Sequence, residues 1–178
     1  MKYFDELKRS MDWLGQKDDT FFMGQAVTYA GTAMTNTLKD VDPEKLLELP
    51  VNEDMQLGMS TGMALNGSVP ISIFPRWNFL ILAANQIVNH LDKMKVMSSG
   101  GYDPKVIIRT GIGSQRPLHP QHQHISDFTG GFRAMCDTIE IVRLDEPSQI
   151  FEEYQRAYER QDGKSTILVE WGDYYGEK

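Results

Sequence analysis

Residues 48–74, running from Glu48 to Phe74, read ELPVNEDMQLGMSTGMALNGSVPISIF, and this stretch decides the fold. Glu48 to Val51 is a short run of strand character. Asn52 can cap a helix that reaches about Leu65, and Asn66-Gly67 breaks it. Ser68 to Phe74 then alternates β-branched and small residues as a second strand does. A strand, a helix and a strand in that order pair in parallel through a right-handed crossover. The helix opens on a carboxylate, Glu53, and no rule of helix formation requires glutamate there. It also contains Gly58 and Gly62, each costing about 1 kcal/mol relative to alanine inside a helix. Close packing or chemistry must compensate, which makes Glu53 the first candidate for function.

The same alternation continues outward. Tyr3 to Gly15 has the spacing of an amphipathic helix, Lys17-Asp18-Asp19 is a charged turn, and Thr20 to about Val27 is a strand. Pro43 to Leu47 reads as a helical turn, Trp77 to about Ser98 as one long helix, and Lys105 to Thr110 as a strand. Thr138 to Leu144 is a strand, Pro147 to Gln161 a helix, and Ser165 to Trp171 a last strand. The expected fold is α/β: a three-layer α/β/α domain with a mainly parallel sheet of about six strands. Val106-Ile107-Ile108 and Ile167-Leu168-Val169 suit strands buried on both faces.

Composition narrows the function. A chain of 178 residues with 40% hydrophobic content supports one domain with a core. A net charge of −7 without a basic cluster argues against nucleic acid or an anionic membrane as partner. Cys136 is the only cysteine, the first residues lack the pattern of a signal peptide, and no apolar run approaches the length of a membrane span, so a cytoplasmic protein is expected.

Gly111 to Gly131 interrupts the rhythm with glycines, two prolines and three of the four histidines. It follows a strand, at the carboxyl edge where open α/β sheets hold ligands, and Glu53 follows another. The acid and the histidine loop should therefore share one rim. His119, His122 and His124 could instead ligate a metal, but the loop offers neither cysteine nor a rigid element to fix their spacing, so no metal site is expected. Arg109 and Arg116 could neutralise a substrate carboxylate or phosphate.

Pro50 to Gly67, Val69-Pro70-Ile71 to Phe74, Asn78-Phe79, Gln86-Ile87-Val88-Asn89, Lys93, Met97-Ser98-Ser99-Gly100-Gly101 and Gln121-His122 resemble, in order and spacing, the pyrimidine-binding domain of thiamine-diphosphate enzymes. The beta subunits of 2-oxo acid dehydrogenases are the nearer likeness and transketolase the more distant. The resemblance covers about residues 20 to 176. Phe22-Met23-Gly24-Gln25-Ala26-Val27 is similar to that family's first strand, with Gln25 where an acid is usual.

The resemblance implies that Glu53 hydrogen-bonds a pyrimidine nitrogen of thiamine diphosphate and relays a proton there, work that aspartate is too short for and glutamine cannot do. It implies that Phe79 stacks on the pyrimidine with Trp77 nearby, that Gln25 lines the cofactor site, and that His122 faces the reacting carbon. His119, His124 and Arg116 are weaker substrate candidates. Residues 1–178 are read as a single pyrimidine-binding domain, with 1–19 an N-terminal helix and turn. The sequence contains no Gly-Asp-Gly segment of the diphosphate-binding half, since Gly172-Asp173-Tyr174 lacks the second glycine, and the expectation is a domain without a transketolase-type C-terminal domain. The expectation is a subunit of a split enzyme acting on a 2-oxo acid or ketose and inactive alone. A separate chain would hold Mg²⁺ and the diphosphate, in a heterotetramer built on a pyrimidine-domain dimer. The alternatives are a non-catalytic interaction or regulatory subunit with the same fold, and a metal-binding domain built on the histidines.

Overall fold

The computed structural model describes residues 1–29, 32–116 and 119–176. Among them, strands β1 (Thr20–Gly24), β2 (Leu46–Glu48), β3 (Val69–Phe74), β4 (Ile107–Ile112), β5 (Glu140–Arg143) and β6 (Thr166–Trp171) form one sheet in the order β2-β1-β3-β4-β6-β5. Every pairing is parallel. Around it lie helices α1 (Tyr3–Gly15), α2 (Ala33–Asn36), α3 (Glu53–Leu65), α4 (Trp77–Leu80), α5 (Met94–Met97), α6 (Thr129–Met135) and α7 (Pro147–Glu159).

Period-2 side-chain alternation divides the core. Phe22, Ile71, Ile73, Ile107 and Leu168 face α1 and α7, where Leu7, Met11, Leu14, Ile150 and Tyr154 meet them. Phe74, Ile108, Ile112, Ile167 and Val169 face the other way, toward Leu57 of α3, Trp77 and Leu80 of α4, Ile87 and Phe132 of α6. This is the expected three-layer α/β/α arrangement. Among the described residues, no helix is long and apolar enough to cross a membrane.

The element limits differ from the sequence expectation for local reasons. β1 stops at Gly24 because the next amides turn to a side chain, as described below. β2 lies earlier, at Leu46–Glu48, and after Leu49 donates to the Gly24 carbonyl, Pro50 has no N–H to continue the ladder. The long helix over 77–98 is a succession of α4, a 3₁₀ turn at Ile81–Ala83, a π-helical stretch at Gln86–Leu91, and α5. α6 begins within the last residues of the Gly111–Gly131 segment, which reads as a structureless loop: the Asp127 carboxylate accepts the Thr129 N–H, and Phe132 is buried against Trp77.

Two charged clusters are built into this frame. Arg109 on β4 is fully buried and donates Nε and Nη2 to Glu170 on β6 at 2.5 and 3.1 Å, and Nη1 to the Thr37 hydroxyl at 2.8 Å. The Tyr154 and Tyr175 hydroxyls donate to the same carboxylate. Burial, reinforced by the Glu170 charge, pushes both phenols well up, so they remain protonated donors. Arg109 is thereby committed to the interior and is unavailable to a substrate. Removing one member of a buried pair strands the other, at about 3–5 kcal/mol. Arg109→Met and Glu170→Leu should each lower stability to urea by that order, while the double variant should lose clearly less than the two losses added; strict additivity would show that the charges are not coupled.

Asp92 ends the π-helical stretch with its carboxylate buried, accepting the N–H groups of Asp137, Thr138 and Ile139 and the Thr138 hydroxyl, beside the Lys93 ammonium at 2.9 Å. Burial alone would raise its pKa, but Lys93 and the three amides together hold it well below the carboxylate range. An acid whose pKa is lower folded than unfolded takes up its proton more readily in the unfolded chain. Its stabilisation is therefore complete above the unfolded value of about 4 and fades as pH falls toward the folded value. Asp92→Asn should cost about 1–3 kcal/mol at pH 7, and urea titrations should show that deficit shrinking on acidification below about pH 4.

Candidate active site

The carboxyl ends of β1, β2, β3, β4 and β6 meet on one rim. Asn52 caps α3 by accepting the Met55 N–H at 3.0 Å, which places Glu53 in the first turn, where the helix dipole favours a carboxylate. Glu53 is only 4% exposed. Gln25, the residue after β1, donates its side-chain amide to Glu53 Oε1 at 3.1 Å.

Gln25 is held in turn by its neighbours. The Glu48 carboxylate, at the end of β2, accepts the N–H groups of Ala26, Val27 and Thr28 at 2.9, 2.7 and 2.7 Å. Three successive amides wrapped on one anion require an unusual backbone, and Ala26 has φ of 57°. The Thr35 hydroxyl secures the same loop by donating to the Ala26 carbonyl at 2.7 Å. The sequence does not single out Glu48, whose only local signal is an acid two residues before the Pro50 that ends the strand pairing.

On the neighbouring strand end, Phe79 of α4 is partly exposed, and its ring centroid lies 5.2 Å from that of His124. Arg76 donates Nη1 to the His124 carbonyl at 2.8 Å, so one short segment carries both the ring and the tether. The histidines do not act alike. His122 and His124 begin and end a 3₁₀ turn, with His122 exposed and His124 half-buried, while exposed His119 accepts the Gln121 N–H on Nδ1 at 3.0 Å. Arg116 is exposed and its carbonyl accepts the Ser114 hydroxyl. Pro117 and Leu118 of the same loop lie outside the described residues. Trp77 does not reach the rim: it is fully buried, 5.0 Å from Phe132 between ring centroids, and belongs to the core. Among the described residues, no three His, Cys, Asp or Glu side chains are grouped to hold a metal ion.

The structure is a wholly parallel α/β domain whose buried, hydrogen-bonded acid and partly exposed aromatic ring lie on the carboxyl rim, the edge at which open α/β sheets hold ligands. This chain belongs to the family of the transketolase pyrimidine-binding domain, which it matches over residues 2–174. It is 32% identical over 124 residues to the pyruvate dehydrogenase E1 component subunit beta of Gracilaria tenuistipitata var. liui, a match that covers 67% of this chain and 38% of the relative. The mitochondrial subunit of the same name from Ascaris suum is 28% identical over 142 residues, 78% of this chain and 38% of the relative. The match thus spans less than half the length of these relatives. A solved "Split gene transketolase, inactive beta4 tetramer" superimposes with a TM-score of 0.68 at 13% identity, covering 93% of this chain and 49% of the other, which establishes the shared fold.

Removing the anion that organises residues 26–28 tests the inner arrangement. Glu48→Ala should lower stability by about 1–3 kcal/mol and should speed amide exchange at Ala26, Val27 and Thr28 by at least about tenfold relative to amides of β4. Unchanged exchange there would mean the carboxylate does not hold the loop.

Proposed function

We propose that this chain supplies the pyrimidine-side half of a split thiamine-diphosphate-dependent enzyme that acts on a 2-oxo acid or a ketose. The observation that carries the reading is the buried Glu53 carboxylate at the rim, held by Gln25, on the same carboxyl edge as the partly exposed Phe79 ring. These residues fit an aminopyrimidine: a carboxyl that exchanges a proton with a weakly basic ring nitrogen, and an aromatic face for the ring plane. When bound, thiamine diphosphate supplies a nucleophilic carbon and an electron sink for making or breaking a bond beside a carbonyl. Glu53 holds and moves the proton at the ring nitrogen, Gln25 fixes the carboxylate's orientation, and His122, exposed on its turn, is the candidate that meets substrate.

The diphosphate and its Mg²⁺ are assigned to a separate chain, and the assembly to a heterotetramer with a dimer of pyrimidine domains at its centre. Support comes from the outer face of α3. Met55 and Met59 are exposed there, Ile81 and Leu82 are exposed after α4, and a Cβ on Gly62 would meet nothing within 4 Å. Packing within this chain does not require that glycine, whereas a closely approaching partner helix would. The chain alone is then inactive, and a cytoplasmic location belongs to the same proposal. One observation favours the alternative of a non-catalytic interaction subunit: Gln25 stands where the resembling family usually has an acid.

The test is to copurify the chain with the product of a neighbouring gene, add thiamine diphosphate and Mg²⁺, and follow carbon dioxide release or ketol transfer. Glu53→Gln keeps an oxygen to accept from Gln25 and loses the exchangeable proton, so activity should fall at least about a hundredfold. Equal turnover would refute the role of Glu53, and a stable but inactive wild-type complex would select the interaction subunit.

A further inference from the structure

A cavity of about 160 Å³ opens on the carboxyl edge of β3, β4 and β6, beside Arg76 and apart from Glu53. Thr32, Arg76, Gly111, Gly113, Ser114 and Gly172 contribute to its walls. Part of that wall is bare backbone, at Gly111, Gly113 and Gly172: a side chain is blocked by close approach at Gly172 and strained by positive φ at Gly113, while Gly111 has ordinary contact room. A Cβ on Gly172 would lie 2.8 Å from the Ser114 nitrogen, one on Gly111 would lie 3.5 Å from the Pro75 carbonyl oxygen, and Gly113 has φ of +80°. The volume is below the range of about 300–1,000 Å³ usual for drug-sized ligands and far above the roughly 30 Å³ of a water molecule. It suits a group of a few heavy atoms.

Among the described residues that line it, Arg76 is the one cation, and no acid accompanies it. Among the described residues, its guanidinium makes one hydrogen bond, from Nη1 to the His124 carbonyl, and no ion pair. Asp173 is the neighbouring acid. Burial lowers the Arg76 guanidinium pKa from its ordinary value and the Asp173 charge only partly offsets this, while Asp173 Oδ1 accepts the Gln115 N–H at 2.7 Å. A half-buried guanidinium with two edges unused, facing a small cavity walled by peptide groups, is matched to a planar or tetrahedral anion.

We infer that this cavity binds a small anion, the carboxylate or phosphate group of a small molecule, on Arg76. The inference does not depend on thiamine diphosphate or on a second chain.

The full chain, without cofactor or partner, is titrated with inorganic phosphate, with pyruvate, and with acetone as the uncharged control, while amide chemical shifts are followed. At least one anion should shift the Gly111, Gly113, Ser114 and Gly172 amides saturably at millimolar concentration, and acetone should not. Stronger binding of pyruvate assigns the site to a carboxylate, and stronger binding of phosphate to a phosphate group. Arg76→Gln should weaken binding at least about tenfold and Arg76→Lys less, since lysine keeps the charge and loses the fork. Ala33→Phe, a change at an exposed lining position, should weaken binding by filling the cavity while Arg76 stays in place. Unaltered affinity in Arg76→Gln, an equal response to acetone, shifts confined to other residues, or no response to either anion would each overturn the inference. None of these results bears on Glu53, and an inactive Glu53→Gln complex would not bear on this cavity.

Discussion

Gln56 ties α3 to the sheet, and the position of the candidate site depends on that attachment. Its side-chain amide donates to the Ile73 carbonyl at 2.9 Å and to the Ser72 hydroxyl at 3.1 Å, while Gly24 of β1 lies directly against it. A Cβ on Gly24 would stand 2.2 Å from the Ile73 oxygen and 2.6 Å from the Gln56 amide nitrogen, and φ at Gly24 is +141°. No other residue meets both conditions. The inner face of α3 is polar for the same reason: Glu53, Gln56, Ser60 and Thr61 are buried and Leu57 is the main apolar contact. A helix held by hydrogen bonds has a defined axial register, since sliding by one turn would break them. Glu53, three residues before Gln56, inherits that register and is delivered to the rim.

The sheet beneath the rim is stiffened by a different device. Parallel strands buried on both faces leave little room for charge, yet the Arg109–Glu170 pair sits between β4 and β6 with two tyrosines and a threonine completing its hydrogen bonds. Such a pair adds little net stability over an apolar core of the same shape. What it adds is direction: the arginine fork reaches one carboxylate geometry, so β4 and β6 are held in the register that aligns Arg109 with Leu168 and Gly111 with Glu170. The cavity beside Arg76 lies at the end of those two strands.

The elements with strong periodicity were legible in the sequence. α1 shows buried Tyr3, Leu7, Met11 and Leu14 at helical spacing, and the apolar runs coincide with β3 and β4, buried throughout, and with β6, buried except at Trp171. What was hidden depends on partners distant along the chain. β1 was read too long because nothing local announces that Glu48 will take the amides of residues 26–28. The helix over 77–98 was read as uniform because a π-helical stretch keeps helical composition while widening one turn. α6 was concealed by Gly130-Gly131, two poor helix formers, and is held by burial of Phe132 instead. Arg109 illustrates the same limit, since an arginine bound for the interior and one bound for a substrate have the same local sequence. For the candidate site, the family likeness led to Glu53, Gln25 and Phe79 on one rim; it gave no signal for Arg76 or Glu48.

The exchange of an acid for Gln25 has a physical reading on this rim. Glu48 and Glu53 flank the loop after β1, one holding its amides and the other accepting from Gln25 itself. A carboxyl at position 25 could bond to Glu53 only by sharing a proton, since two ionised carboxylates at that separation repel. The link between residues 25 and 53 would then exist or fail with the protonation of the pair. An amide donates its hydrogen at any pH and keeps a carbonyl oxygen to spare. Gln25 therefore makes the orientation of Glu53 independent of its own protonation state, and leaves the glutamate as the only side chain of the pair able to give up or take a proton.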